Sequence, residues 1–175
     1  VRAKYPERKV VFFGPCIAKK MEIMKVKNDA DYVLTFEELA AMFSAKSIDV
    51  NAPAEEEQDG SLCGKNYAQS GGVVGSVAEV LKEEGYDKPC KAIRCNGAKE
   101  CKRTLMIMNA GRLPEDFVEG MACECGCIAG PAGVASLRDI KKNRAALLAK
   151  ADKRTITQNV HEIHDFSDID MNNGR

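Results

Sequence analysis

Four short apolar runs, each followed by a helical pattern, constrain this chain more than any other feature. The runs are "KVVFFG" (Lys9–Gly14), "DYVLT" (Asp31–Thr35), "KAIRCNG" (residues 91–97) and "FVEGMAC" (Phe117–Cys123). All are short and carry β-branched or aromatic residues, as buried strands do. "IAKKMEIMKVK", "TFEELAAMFSAKSI", "KECKRTLMIMNAGR" and "GVASLRDIKKNRAALLAKADKR" follow them in turn and read as helices. Thr35 with Glu38 three residues on is a capping box that opens the second helix. A further amphipathic helix spans Ser70–Gly85, with Val73, Val77, Val80 and Leu81 on one face. The stretch "DVNAPAEEEQDGS" reads as a solvated loop, and a last helix lies around "NVHEIHDF". Strands alternating with helices predict an α/β fold: a small, mostly parallel four-stranded sheet flanked by helices.

Composition narrows the partners. The 26 basic and 26 acidic residues balance, so the basic footprint of a nucleic-acid binder is missing. No apolar run is long enough to span a membrane, and no signal-peptide pattern opens the chain. The expected location is cytoplasmic. The first residues enter a strand almost at once, without Met, so the chain reads as cut from something longer. Hydrophobic residues make up 45%, enough for a core. Eight cysteines interrupt ordinary helix and strand patterns. In a reducing compartment such thiols serve metals or catalysis more often than crosslinks.

Two cysteine-bearing segments stand at strand ends, where ligands bind in parallel sheets. "GPCIAKKME" places Cys16 between a turn and a helix start, and a helix N-terminus favours a thiolate. "MACECGCIAGPAG" places Cys123, Cys125 and Cys127 before a run of glycines and prolines. Such turns aim sulfurs at one point and offer N–H groups to cluster sulfides. Neither segment has the spacing of a ferredoxin or a zinc ribbon, so a cluster here would be assembled from distant segments. A single buried cysteine read alone is a small apolar core residue.

Taken together, these stretches resemble the signatures of the iron-only (FeFe) hydrogenases. "PCIAKKME" is similar to their second signature, Pro-Cys-x-x-Lys-x-x-Glu. "FVEGMACECGCIAG" is similar to their third, Glu-x-Met-x-Cys followed four residues later by another Cys. "AQSGGVVGSV" lies between them in the expected order. The resemblance covers residues 1–150, read as one lobe of the catalytic domain, with residues 151–175 as a C-terminal helical extension. It implies an H-cluster, a 4Fe–4S cubane joined through a cysteine sulfur to a two-iron unit. By resemblance, Cys16 and Cys123 ligate the cubane, and Cys127 both ligates it and bridges to the two-iron unit. Lys19 corresponds to the lysine that hydrogen-bonds a cyanide, and Met121 to a methionine lining the two-iron unit. Glu22 and Glu119 match the motif carboxylates, as partners behind the ligands or as surface charges.

The departures are informative. The first signature, Thr-Ser-Cys-Cys-Pro-x-Trp, is absent, and the chain has no Trp. Gly14 stands where a methionine is expected, and Gly130-Pro131-Ala132-Gly133 replaces the Gly-Gly-Gly-x-Pro tail. The isolated chain is therefore expected to be inactive. The implied partners are the remainder of the hydrogenase chain with the first signature, and an electron carrier such as ferredoxin. The alternative is a hydrogen- or redox-sensing domain joined to a signalling domain. A third reading is a zinc or empty site without redox chemistry. Cys63, Cys90, Cys95 and Cys101 read as buried thiols or as an accessory cluster, and Cys95 alternatively borders the pocket. Cys125 occupies a position where the family has glycine, as a bystander or a tuning thiol. His161 and His164 share a spacing that suits a metal or a solvent-facing helix.

Overall fold

The short apolar runs do form strands, and both pairings are parallel. The structure, a computed structural model, describes residues 1–2, 4–26, 30–52 and 60–163. It divides into two compact units. The first holds Val1–Glu56 with Ile128–Leu137, and the second Glu57–Cys127 with Arg138–Arg175.

In the first unit β1 (Val11–Phe13) runs parallel to β2 (Tyr32–Leu34), with Phe12 opposite Val33. Helix α1 (Ala18–Lys25) joins them, which makes a βαβ unit, the connection parallel neighbours require. Asp31 fixes the start of the ladder by accepting from Val10 N at 2.8 Å. Helix α2 (Phe36–Ala45) opens with the expected capping box. Glu38 N donates to Thr35 Oγ1 at 3.2 Å, and Thr35 N donates to Glu38 Oε2 at 2.7 Å. Glu38 also takes Lys20 Nζ at 2.5 Å, tying α1 to α2.

In the second unit β3 (Ala92–Asn96) pairs with β4 (Phe117–Met121), with Arg94 opposite Glu119 and Asn96 opposite Met121. Helix α5 (Ala98–Asn109) connects them as a second βαβ unit. Around them lie α3 (Leu62–Asn66), α4 (Gly72–Glu83), α6 (Leu137–Ala149) and α7 (Ile156–Ile163).

The α/β class holds, but the strands do not form one four-stranded sheet. Among the described residues they form two separate two-stranded sheets. The reason is that each pair closes locally, through its own crossover helix, and each pair falls in a different unit. The sequence pattern assigns no element to residues 62–69, where helix α3 forms. Its signal is Ser61, whose Oγ accepts from Gly64 N at 3.1 Å as an N-cap. Helix α6 begins later than its pattern suggests, because Gly133 N turns back onto Gly130 O. Much of the expected loop from Asp49 to Ser61, and His164, lie outside the described residues.

Helix α7 is held to α4 by acid-sensitive caps. Glu83 accepts from Ile156 N and Thr157 N, each at 2.9 Å, and from Thr157 Oγ1 at 2.5 Å. The Thr157 hydroxyl and the backbone N–H groups hold its carboxyl below the ordinary value. Hydrogen bonds from Arg154 hold Asp152, just before α7, down to about 2. Both values are depressed by folding. Their stabilisation is therefore present above the unfolded values, near 4, and is lost as pH falls through the folded ones. Helical circular dichroism under denaturant should show Glu83→Gln weaker than the parent at neutral pH. The gap should close as the pH falls below the ordinary carboxylate range, through the lowered value of Glu83.

Candidate metal-cluster site

The Cys123–Cys127 loop is built from the end of β4. The β3–β4 ladder stops at the Asn96–Met121 pair, where Gly97 N donates to Met121 O at 2.7 Å. Gly97 has φ +104, a conformation open to glycine, and it turns the chain into α5. The chain after Met121 makes a tight turn in which Gly126 N donates to Cys123 O at 3.0 Å. Cys125 sits at the third position of that turn with φ +68. A positive φ there is what a type II turn demands, and it normally selects Gly or Asn. The physical reason for glycine at this position is therefore conformational. Asn96 meets part of the cost, because its Oδ1 accepts from Cys125 N at 2.6 Å.

The loop is seated on the segment before α4. Gln69 and Gly126 form an antiparallel bridge, and Ser70 N donates to Cys125 O at 3.3 Å. The backbone N–H and C=O of Cys125 are thus both committed to fixing the turn. Cys127 opens a single 3-10 turn, Cys127–Ala129, and is exposed, while Cys123 and Cys125 are half-buried. Met121 is half-buried at the last position of β4.

Cys16 stands in the first unit, half-buried between β1 and α1. Helix α1 has Ile17 at its N-cap and no side-chain cap, so its first N–H groups are not satisfied by a capping side chain. The glycine-rich stretch after the cysteine loop belongs to this same unit. Its Ala132 N donates to Pro15 O at 3.1 Å, beside Cys16. Lys19, in the first turn of α1, pairs with Glu22 at 2.5 Å. Both are partly exposed, so the pair contributes little to stability.

Glu119 is not a surface charge. It is only 3% exposed and accepts from Gly71 N at 2.5 Å and Val74 N at 2.8 Å. It therefore caps α4, whose own N-cap, Gly71, has no side chain to do so.

The other cysteines separate from this loop. Cys95 is 1% exposed in β3, and Cys101 of α5 lies against it, with Sγ 4.0 Å from Cys95 O. Burial, then the neighbouring Cys95, pushes the Cys101 thiol up. Burial and the charges of Glu79 and Glu83 do the same to Cys63 in α3. Cys90 is half-buried just before β3. Raised thiols favour the neutral packed form over a ligand. Among the described residues no three Cys, His, Asp or Glu side chains converge closely enough to hold an ion. The accessory cluster is thus not gathered by the fold; Cys123 and Cys127 share one loop of the second unit, and Cys16 belongs to the first. Their type suits an iron–sulfur cluster, which needs thiolates flanked by backbone N–H groups.

Sequence reasoning missed Asn96 and Gln69. The signal for Asn96 is its place in "CNG", an amide directly before a glycine at a strand end. Gln69 carries no comparable local signal. One consequence follows for Cys125. Cys125→Gly should raise the unfolding free energy by about 1 kcal/mol, since glycine tolerates the left-handed conformation that costs other residues energy. Denaturant titration of the reduced chain checks this.

Residues 1–131 match the model of the family described as iron only hydrogenase large subunit, C-terminal domain. The chain is 31% identical to the periplasmic Fe hydrogenase large subunit of Nitratidesulfovibrio vulgaris strain Hildenborough over 169 residues, covering 74% of this chain and 40% of that protein. It is similar in fold to a structure concerned with stepwise H-cluster assembly in an FeFe-hydrogenase. That likeness has TM-score 0.54 and 19% identity, covering 88% of this chain and 58% of the other. An FeFe-hydrogenase from Chlamydomonas reinhardtii gives TM-score 0.54 and 21% identity, covering 89% and 58%. The chain thus spans less than two thirds of the length of these proteins. No helix among the described residues is long and apolar enough to cross a membrane. With the second and third signatures at strand ends and three quarters of its length matched, the chain belongs to the iron-only hydrogenase large subunit family, in its C-terminal domain.

Proposed function

We propose that this chain is part of an FeFe hydrogenase and contributes Cys16, Cys123 and Cys127 to its H-cluster. The observation that carries this is the Cys123–Cys127 loop. Its backbone is fixed on three sides, by Asn96, by Ser70 and by its own turn, so that the thiols stand on a rigid base. When bound, the cluster supplies the interconversion of hydrogen with protons and electrons. Cys16 and Cys123 would hold the cubane, and Cys127 would both hold it and bridge to the two-iron unit. Lys19 would offer a charge-assisted hydrogen bond to an anionic diatomic ligand. Met121, at the end of β4, would supply an apolar wall.

Residues 1–150 would then form the catalytic lobe and residues 151–175 an extension. The remainder of the hydrogenase polypeptide, with the first signature, would complete the ligands. The exposure of β1 supports this. Val11, Phe12 and Phe13 are 39%, 42% and 38% exposed, so both faces of that strand are partly open. Parallel sheets are normally covered on both faces.

An acidic electron carrier such as ferredoxin would meet Lys99, Lys102, Arg103 and Arg112, which line one shallow depression with Met106 and Ile107. Opposite charge of this kind steers association. A cytoplasmic location agrees with eight free thiols. Gly14 and Pro131–Ala132 depart from the signatures and fit a divergent branch, including one that senses hydrogen with the same ligands.

Anaerobic purification followed by iron, sulfide and zinc analysis tests the proposal. Iron with labile sulfide is expected, reduced strongly in Cys16→Ser, Cys123→Ser and Cys127→Ser but retained in Cys95→Ser. Zinc without iron or sulfide would overturn it. Supplied with a two-iron cofactor and a reduced mediator, the isolated chain should evolve no hydrogen, because its ligand set is incomplete.

A further inference from the structure

We propose that Arg144 is the positioning residue of the Cys123–Cys127 loop, acting through the segment Asn66–Ser70. The proposal rests on the reading of that loop as a ligand loop, but its geometry does not.

Arg144 projects from α6 and is half-buried. Its Nη1 donates to Gln69 Oε1, and its Nη2 donates to Asn66 Oδ1 and, at 3.5 Å, to Asn66 O. All three acceptors are uncharged. A guanidinium partly removed from water ordinarily pairs with a carboxylate, and burial here pulls its pKa down. Arginine nevertheless stays protonated. The group is spending its planar fork on holding two amide side chains and one carbonyl in a fixed relation.

The clamped segment is the one on which the cysteine loop rests. Gln69 bridges Gly126, and Ser70 N donates to Cys125 O at 3.3 Å. The approach is too close for any side chain, since a Cβ at Gly126 would lie 2.5 Å from Ser70 N. Just beyond the far end of the segment, Glu119 pins Gly71 N and Val74 N at the start of α4. A cation therefore fixes one end and an anion the stretch just past the other, with the Cys125–Gly126 backbone seated between. Releasing the Arg144 end lets Gln69 and Ser70 move. Cys125 then loses one of its two backbone anchors, and Cys123 and Cys127, on either side, lose their fixed spacing.

The test uses Arg144→Lys, which keeps the charge but not the fork, and Arg144→Gln. Amide exchange by NMR reads the Ser70 N–H, with the amides of Val118 and Glu119 in β4 as the internal reference. Alkylation followed by mass spectrometry reads Cys123 and Cys125. Both variants should speed Ser70 exchange by roughly tenfold, the scale of a lost charge-assisted hydrogen bond, with β4 unchanged. Alkylation of Cys123 and Cys125 should rise with it. If Arg144→Gln does not fold, Gln69→Ala removes the acceptor alone and should give the same loosening. Unchanged Ser70 exchange and thiol reactivity in folded variants would overturn the proposal. So would an equal rise at Ser70 and in β4, which marks a general loss of stability. Iron uptake by the parent is measured separately. Its failure would sink the cluster reading while leaving the exchange result to decide on Arg144.

Discussion

Glu119→Ala should lower the unfolding free energy of the second unit by about 3 kcal/mol. The carboxylate is buried and accepts from the N-cap Gly71 N and from Val74 N in the first turn of α4. Helix starts leave such donors without intrahelical partners, and a negative charge there is favoured by the helix dipole. Gly71 has φ +90 and no side chain, so the helix has no cap of its own to fall back on. Alanine would leave two donors without partners and a gap beside them. Glu119→Gln should lie between, because an amide has one accepting oxygen where the carboxylate has two. Urea denaturation followed by helical circular dichroism gives both values. A loss well under 1 kcal/mol in Glu119→Ala would mean that water or another group caps α4. The result bears on function because α4 begins directly after the segment that carries the cysteine loop.

Gly126→Ala should cost about as much, near 3 kcal/mol, and should also dislodge the cysteine loop. Two costs combine. Gly126 has φ +87, which a side chain strains, and the added Cβ would lie 2.5 Å from Ser70 N and 2.7 Å from Gln69 Cα. Those are backbone atoms and cannot swing aside as a side chain would. Gly111→Ala separates the two terms. It shares the positive φ, +66, but has open space around it, so it should cost only about 1 kcal/mol. Equal effects at the two glycines would show that strain alone matters and that the loop is not pressed onto the segment before α4. Iron content of Gly126→Ala should fall below that of Gly111→Ala.

What the sequence determined by itself was local or carried by signature. The capping box at Thr35 and Glu38 spans one helical turn, and both of its hydrogen bonds are present. The strands at Val11–Phe13, Tyr32–Leu34, Ala92–Asn96 and Phe117–Met121 lie within runs a few residues long. Their parallel pairing follows from the helix each pair encloses. The two signatures place Cys16, Cys123 and Cys127 at strand ends, where they stand. These features are legible because each is decided by neighbours within about one turn or one strand.

Only the tertiary structure decided the rest. It divided the strands into two sheets, because each pair's closure depends on which edges meet. It turned Glu119 into a cap through partners 48 and 45 residues away. It tied Arg144 to Gln69 and Asn66 across 75 and 78 residues. It also explained Cys125: the turn needs a positive φ, and Asn96, 29 residues earlier, holds its N–H. None of these contacts leaves a mark in residue spacing. A hydrogen bond between distant segments depends on where both backbones have already been placed, and only packing places them.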